Sequence, residues 1–199
     1  MKVKNLISSF IFWLYTSNSF VARLLLEDMG AVGDVKQQFG ASAAFTITLA
    51  SLASSSTRTT GRESTAIAVS GIVVDYLVSG KITVGTSPTV SKIIDIWVYA
   101  AAEDDPIYPD VIDGTDSDET LTSENVRNAA LRYGAGIVID NVSDRTYWIR
   151  PFSIASLFGG VLPTHFGLFV AHDTGVNLNA TAGNHAFYYT PVFLNVAQS

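Results

Sequence analysis

The densest chemistry in this sequence is acidic. Between Glu103 and Glu119 stand Glu103, Asp104, Asp105, Asp110, Asp113, Asp116, Asp118 and Glu119, eight of the eighteen carboxylates in the chain. A hard cation such as calcium takes several oxygen ligands from a flexible backbone, which makes Asp113, Asp116 and Asp118 candidate metal ligands. The spacing Asp113-Gly114-Thr115-Asp116-Ser117-Asp118-Glu119 fails the EF-hand order, however, so the plainer reading is a solvated charged loop with no resident metal. His165, His172 and His185 are the only histidines, and no HExxH or comparable ligand spacing joins them. No GxSxG elbow presents a serine nucleophile, and Gly134-Ala135-Gly136 is too little for a phosphate loop. Phe187, Tyr188 and Tyr189 would alternate faces on a strand, with core packing as the plain reading and a sugar-stacking platform as the alternative. No catalytic residue and no cofactor site is expected.

The composition sets further bounds. The chain has 199 residues, 48% hydrophobic and only 15% charged, with a formal net charge of −6 and no cysteine. Phosphate contacts need clustered Lys and Arg, and the twelve basic residues here are scattered, so no direct nucleic-acid partner is expected. Disulfides, thiolate zinc sites and cysteine nucleophiles are excluded together. Abundant neutral surface suits a protein covered by neighbours in an assembly, with a homo-oligomer as the expected state.

Residues 1–28 differ in composition from the rest of the chain, with a basic start at Lys2 and Lys4 and then an apolar run from Leu6 to Tyr15. Three readings compete. A secretory signal has the right charged start but poor cleavage spacing. A membrane span is too short and too interrupted by Ser8, Ser9, Asn18 and Arg23, so no membrane partner is expected. The preferred reading places the true start at Met29, because Leu26-Glu27-Asp28 can be encoded as CTG GAG GAC, which contains a GGAG ribosome-binding sequence. The expected organisation is an N-terminal extension over 1–28 and one domain over 29–199.

Within that domain, Val35 to Gly40 reads as a polar lead-in and Phe45 to Leu49, with its strict alternation, as a half-buried strand. Ser51 to Ser64 reads as a loop. Thr65 to Val69 and Ile72 to Val84 read as strands, the second bent near Ser79-Gly80. Ile93 to Ala101 is the strongest strand, with Ile94, Ile96, Val98 and Ala100 on one face and Ile93, Asp95, Trp97 and Tyr99 on the other. Leu121 to Arg132 suits either a short helix, which Ser123 would cap, or an irregular connection. Ala135 to Val142 and Thr146 to Ile149 suggest a hairpin, Ser153 to Phe158 a helical turn, and Gly159-Gly160 with Pro163 a turn. Phe166 to Val170 and Phe187 to Val196 read as two strands of one sheet, joined by a loop in which Asn177, Asn179 and Asn184 replace backbone hydrogen bonds. The fold class is therefore all-β: an antiparallel β-sandwich of jelly-roll type, about eight strands, with one short helix at most. An immunoglobulin-like sandwich is the alternative, and its Cys and Trp landmarks are missing.

The segments VKQQFG (Val35 to Gly40), FTITLASLASSSTR (Phe45 to Arg58), FGGVLP (Phe158 to Pro163), FGLFV (Phe166 to Val170) and TGVNLNATAGNHAFYY (Thr174 to Tyr189) resemble an uncharacterised family of small virion proteins of tailed bacteriophages. The likeness covers most of Gly33 to Val196 and carries no catalytic residue. Members usually begin just before the VKQQFG-like stretch, which agrees with a start at Met29, and the charged Glu103–Glu119 loop departs from their Gly/Thr-rich one. The resemblance implies a non-enzymatic structural protein, a decoration or cement protein stabilising the head. Its partners would be the major capsid protein or other virion proteins, and its place the capsid surface after synthesis in the host bacterial cytoplasm. The alternative is a tail or baseplate module that binds host surface glycan.

Overall fold

The computed structural model describes residues 35–196, and the expected division at Met29 lies outside them. Gln37–Leu194 forms one unit by contact, and this unit holds the body of both sheets. Eleven strands follow in order: β1 (Val35–Phe39), β2 (Ala43–Ala44), β3 (Thr60–Glu63), β4 (Ile67–Ala68), β5 (Val73–Thr83), β6 (Ile93–Ala101), β7 (Asp118–Thr120), β8 (Arg132–Val138), β9 (Thr146–Ser153), β10 (His165–His172) and β11 (Ala186–Val196). Among the described residues two short α-helices, α1 (Glu124–Ala130) and α2 (Ile154–Leu157), interrupt them, one more than the sequence suggests. No helix among the described residues is long and apolar enough to cross a membrane.

One sheet, sheet A, runs β1-β11-β5-β9, with β2 also on β11; the other, sheet B, runs β7-β3-β10-β6-β8, with β4 also on β10. Counting β1 with β2 as the first strand, β3 with β4 as the second, and β5, β6, β8, β9, β10 and β11 as the third to eighth, the orders become 1-8-3-6 and 2-7-4-5. That is a jelly roll, with β7 as an added edge strand. The expected all-β sandwich holds.

Its core follows from period two. In β6, Ile94, Ile96 and Val98 face inward, and in β10 Phe166, Leu168 and Val170 do, against Tyr76, Val78 and Ile82 of β5 and Phe187 of β11. The opposite face of sheet B is also apolar. Trp97 and Tyr99 of β6 with Phe169 and Ala171 of β10 form a second cluster, closed by Ile112, Leu121 and Leu131 from the long connection between β6 and β8. The chain thus covers the outer face of sheet B with its own loop and with α1, whose N-terminus Ser123 caps by accepting from Val126 N.

Several expectations change in detail. The polar lead-in is β1, held in sheet A beside β11. Phe45 to Leu49 alternates in burial but joins no ladder. It crosses from one sheet to the other: Phe45 N donates to Phe187 O in sheet A, Thr46 O accepts from Thr65 N on the sheet B side, and Thr48 N is taken by the Asp116 carboxylate. The supposed loop before Ser64 contains β3, whose TGRE sequence has no apolar signal; Gly61 is required there because a Cβ would lie 2.4 Å from Val170 O. Thr65 to Val69 keeps only the two-residue β4. β5 continues through Ser79-Gly80, with a register shift against β9 between Val78 and Gly80. The hairpin over 135–149 does not form, because β8 pairs with β6 and β9 with β5 in different sheets. For the same reason β10 and β11 face each other across the core instead of pairing.

Gly167 offers a direct test of this packing. A Cβ there would lie 2.2 Å from Cζ of Tyr99, which is fully buried and donates its hydroxyl to Ser64 O at 2.5 Å. Gly167→Ala should therefore destabilise the protein by about 1–3 kcal/mol, read from thermal unfolding. An unchanged midpoint would show that Tyr99 is free to move.

Candidate functional site

The three carboxylates expected as candidate cation ligands are each engaged elsewhere. Asp116 accepts from Arg62 Nε at 2.6 Å, from Thr48 N at 2.9 Å and from Thr48 Oγ1 at 2.6 Å. Burial works against ionisation of Asp116, but Arg62 and Thr48 outweigh it and hold the carboxyl below its usual range. Asp118 pairs with the same guanidinium at 3.1 Å, while Asp113 turns back on Thr115, accepting from its N–H and its hydroxyl. Among the described residues no group of three or more His, Asp or Glu side chains could hold a metal ion.

What the acidic loop does instead is clamp sheet B. Glu63, at the end of β3, is fully buried and accepts from Asp113 N and Gly114 N, both at 3.2 Å, and from Ser117 Oγ at 3.1 Å. No cation reaches it among the described residues. Burial therefore pushes its carboxyl up to about 7, against the pull of those three donors. No period or motif in TGRE announces this residue.

A second polar cluster lies on the outer face of sheet B. Arg58, in a left-handed turn at φ 53°, donates to Asp95 at 2.7 Å and to Asp173 at 3.1 Å, and Lys92 approaches Asp173 at 3.4 Å. Tyr133 OH donates to the other oxygen of Asp95, and Ile93 N to the other oxygen of Asp173. Beside it Arg127 lies over the Trp97 ring, 4.9 Å from its centroid, and donates to Thr57 O and Arg58 O. These charges are neutralised in place and link β6, β10 and the 51–59 turn. They form a fastening, with no pair of free carboxylates facing a cleft.

The histidines are structural as well. His172 is fully buried, with Nε2 donating to Leu52 O at 3.1 Å and Nδ1 2.9 Å from Thr174 Oγ1, and burial pushes the ring down to about 4. His185 accepts from Thr83 N and donates to Asn179 O, which makes it neutral. His165 reaches Thr164 Oγ1. Of the three loop asparagines, Asn179 does what was expected: its Oδ1 accepts from Thr181 N, and also from Asn184 Nδ2.

The surface that remains open is that of sheet A. Tyr188 is 45% exposed, while its neighbours Phe187 and Tyr189 pack in the core, and Trp148 on β9 is 77% exposed. A groove of about 530 Å³ lies between them, floored by Ser79, Gly80 and Lys81. Further along, where β1, β11 and β5 run side by side, Phe39, Leu194, Ile72 and Val74 are also exposed. Fold and surface together define a class: a jelly-roll sandwich with one sheet largely covered by its own chain and the other open to solvent. No family model matches the chain, and no curated protein or solved structure matches it either.

Proposed function

We propose that the chain is a non-enzymatic structural protein of a tailed-bacteriophage virion, a jelly-roll decoration or cement protein on the outside of the head. The observation that carries this reading is where the phage-like segments fall. VKQQFG forms β1, FGLFV lies in β10 and TGVNLNATAGNHAFYY runs into β11. FTITLASLASSSTR threads along them, with Phe45 N donating to Phe187 O, Ser55 N to His172 O and Leu52 O accepting from Leu178 N. These segments meet in the folded protein, VKQQFG and the end of TGVNLNATAGNHAFYY in sheet A and FGLFV in sheet B, an arrangement that a shared fold would have.

Apolar side chains at Phe39, Ile72, Val74 and Leu194 supply surface that a neighbouring virion protein or a second copy would cover. Stable contacts of this kind bury about 800 Å² per partner, and binding only to the assembled shell stabilises it by mass action. The reading is tested by adding the purified protein to heads assembled without it and following their thermal disruption. The disruption temperature should rise with protein concentration and then saturate, and Ile72→Asp should weaken the effect. Heads that neither bind the protein nor gain stability would contradict the proposal.

A further inference from the structure

Among the described residues Trp148 is the largest apolar side chain left in solvent, and its surroundings are chemically specific. It stands on β9 directly across from Lys81 of β5, while Ser79, two residues earlier on β5, stands across from Tyr188 of β11. The two exposed rings are therefore separated by two interstrand spacings, about 10 Å, and staggered along the strands. They border the groove over Ser79, Gly80 and Lys81, and a second recess of about 490 Å³ opens on the other side of Trp148, bounded by Arg150 and Phe152 of β9 and by Gly134 to Ile137 of β8.

Three features restrict what could lie there. First, neither ring is engaged: among the described residues Trp148 and Tyr188 have no ring-stacking partner and no side-chain hydrogen bond. Second, the charge is one-sided. Lys81 and Arg150 form no salt bridge among the described residues, and no carboxylate lines either recess, although the whole chain carries a net charge of −6. Third, the floor offers a hydroxyl at Ser79.

From these we infer that the Trp148–Tyr188 groove on sheet A is a binding site for an acidic oligosaccharide. The C–H face of a pyranose carries partial positive charge and packs on the electron-rich face of an aromatic ring. A carboxylate on the same sugar chain meets Lys81 or Arg150, the latter with a planar donor fork that matches its geometry. The sugar hydroxyls find Ser79 Oγ. A nucleic acid would also stack, but its successive phosphates need a row of cations, and only Lys81 and Arg150 line these recesses. The inference goes beyond a role in the head and does not depend on it, since the groove is complete within a single chain.

The full chain is tested on an array of hexuronate, sialylated and neutral oligosaccharides, and the strongest acidic member and its neutral counterpart are then titrated by calorimetry. The acidic sugar should bind saturably and at least about tenfold more tightly than the neutral one. Trp148→Ala and, separately, Tyr188→Ala should each weaken binding by about tenfold without moving the unfolding midpoint, because both side chains stand in solvent. Combined Lys81→Gln and Arg150→Gln should bring acidic and neutral sugars to within about threefold of each other. The proposal is overturned if no acidic member binds, if the neutral sugar binds as well, or if Trp148→Ala binds like the parent. It also falls if the chain self-associates through this face and Trp148→Ala makes it monomeric, since the groove would then be a protein interface.

Discussion

Phe166→Ala should lower the stability of the sandwich by about 3–5 kcal/mol, the largest loss expected of any single truncation here. Phe166 is fully buried on β10 and belongs to a closed circuit of four rings. Its ring lies 6.2 Å from Phe45 and 5.1 Å from Tyr76, and Tyr189 completes the circuit at 5.1 Å from Phe45 and 5.8 Å from Tyr76. Tyr76 and Tyr189 come from sheet A, Phe166 from sheet B, and Phe45 from the segment that crosses between them. Removing Phe166 therefore opens a void at the point where the two sheets and the crossing segment meet. The other three rings are fixed by different strands, so they cannot all move into it. The midpoint of thermal unfolding should fall by roughly 6–20 °C for a chain of this size. A fall of only a few degrees would mean that the circuit repacks and does not join the sheets.

The second large effect concerns pH and is partly concealed in the parent protein. Glu63 ionises at about 7 in the folded state against 4.5 for a free carboxyl, chiefly because of its burial. A group of this kind takes up a proton on folding, so its contribution is fully present below about pH 4.5 and is lost as pH rises through 7. His172 works the other way. Burial lowers it from 6.5 to about 4, so the neutral ring favours folding above pH 6.5, and that advantage is lost as pH falls toward 4. Between pH 4.5 and 6.5 the two slopes oppose each other and partly cancel in the parent, with His185, whose ring burial also lowers, adding to the side of His172. Asp113, Asp116, Asp140 and Asp173, all held below their usual 3.8, act only at lower pH. Glu63→Gln should unmask the histidine, leaving a protein about 2 kcal/mol more stable at pH 6.5 than at 4.5. His172→Gln should show the reverse slope. Urea unfolding at fixed pH values measures both, and the slope is the readout because each substitution also costs hydrogen bonds. Parallel profiles for the two variants would refute the assignment.

The sequence is legible where one residue's neighbours decide its place. β6 is recognisable from its alternation, down to the separation of Ile94, Ile96 and Val98 from Trp97 and Tyr99, because both faces of that strand are covered by apolar partners. Ser123 and the Gly159-Gly160 turn, with φ of 75° and 93°, are decided within a few residues as well. The features that local pattern misses depend on the sandwich as a whole. Phe45 to Leu49 has the pattern of a strand, but its backbone groups are met one by one by Phe187 O, Thr65 N and Asp116, as crossing between sheets demands. The 135–149 segment looks like a hairpin because turn residues cannot say whether the next strand returns to the same sheet.

The polar surface follows the same rule. Three aspartates spaced two or three apart suggest a cation, yet Arg62 and Thr48, distant in sequence, claim Asp116. Glu63 and the Arg58–Asp95–Asp173 cluster carry no local signal at all. Trp148 is readable in principle: within Thr146 to Ile149 it alternates with Tyr147 and Ile149, and Ile149 is in the core. On an edge strand that also contains Pro151, the outward position is exposed to whatever the protein meets.

Cryo-electron microscopy of the intact virion decides whether this protein decorates the head. Density for this jelly roll is expected on the outside of the head, bound across capsid subunits, with the Phe39, Ile72, Val74 and Leu194 end turned toward a neighbour. A head whose outer surface carries no such density would contradict the proposal, as would the same fold found only in the tail.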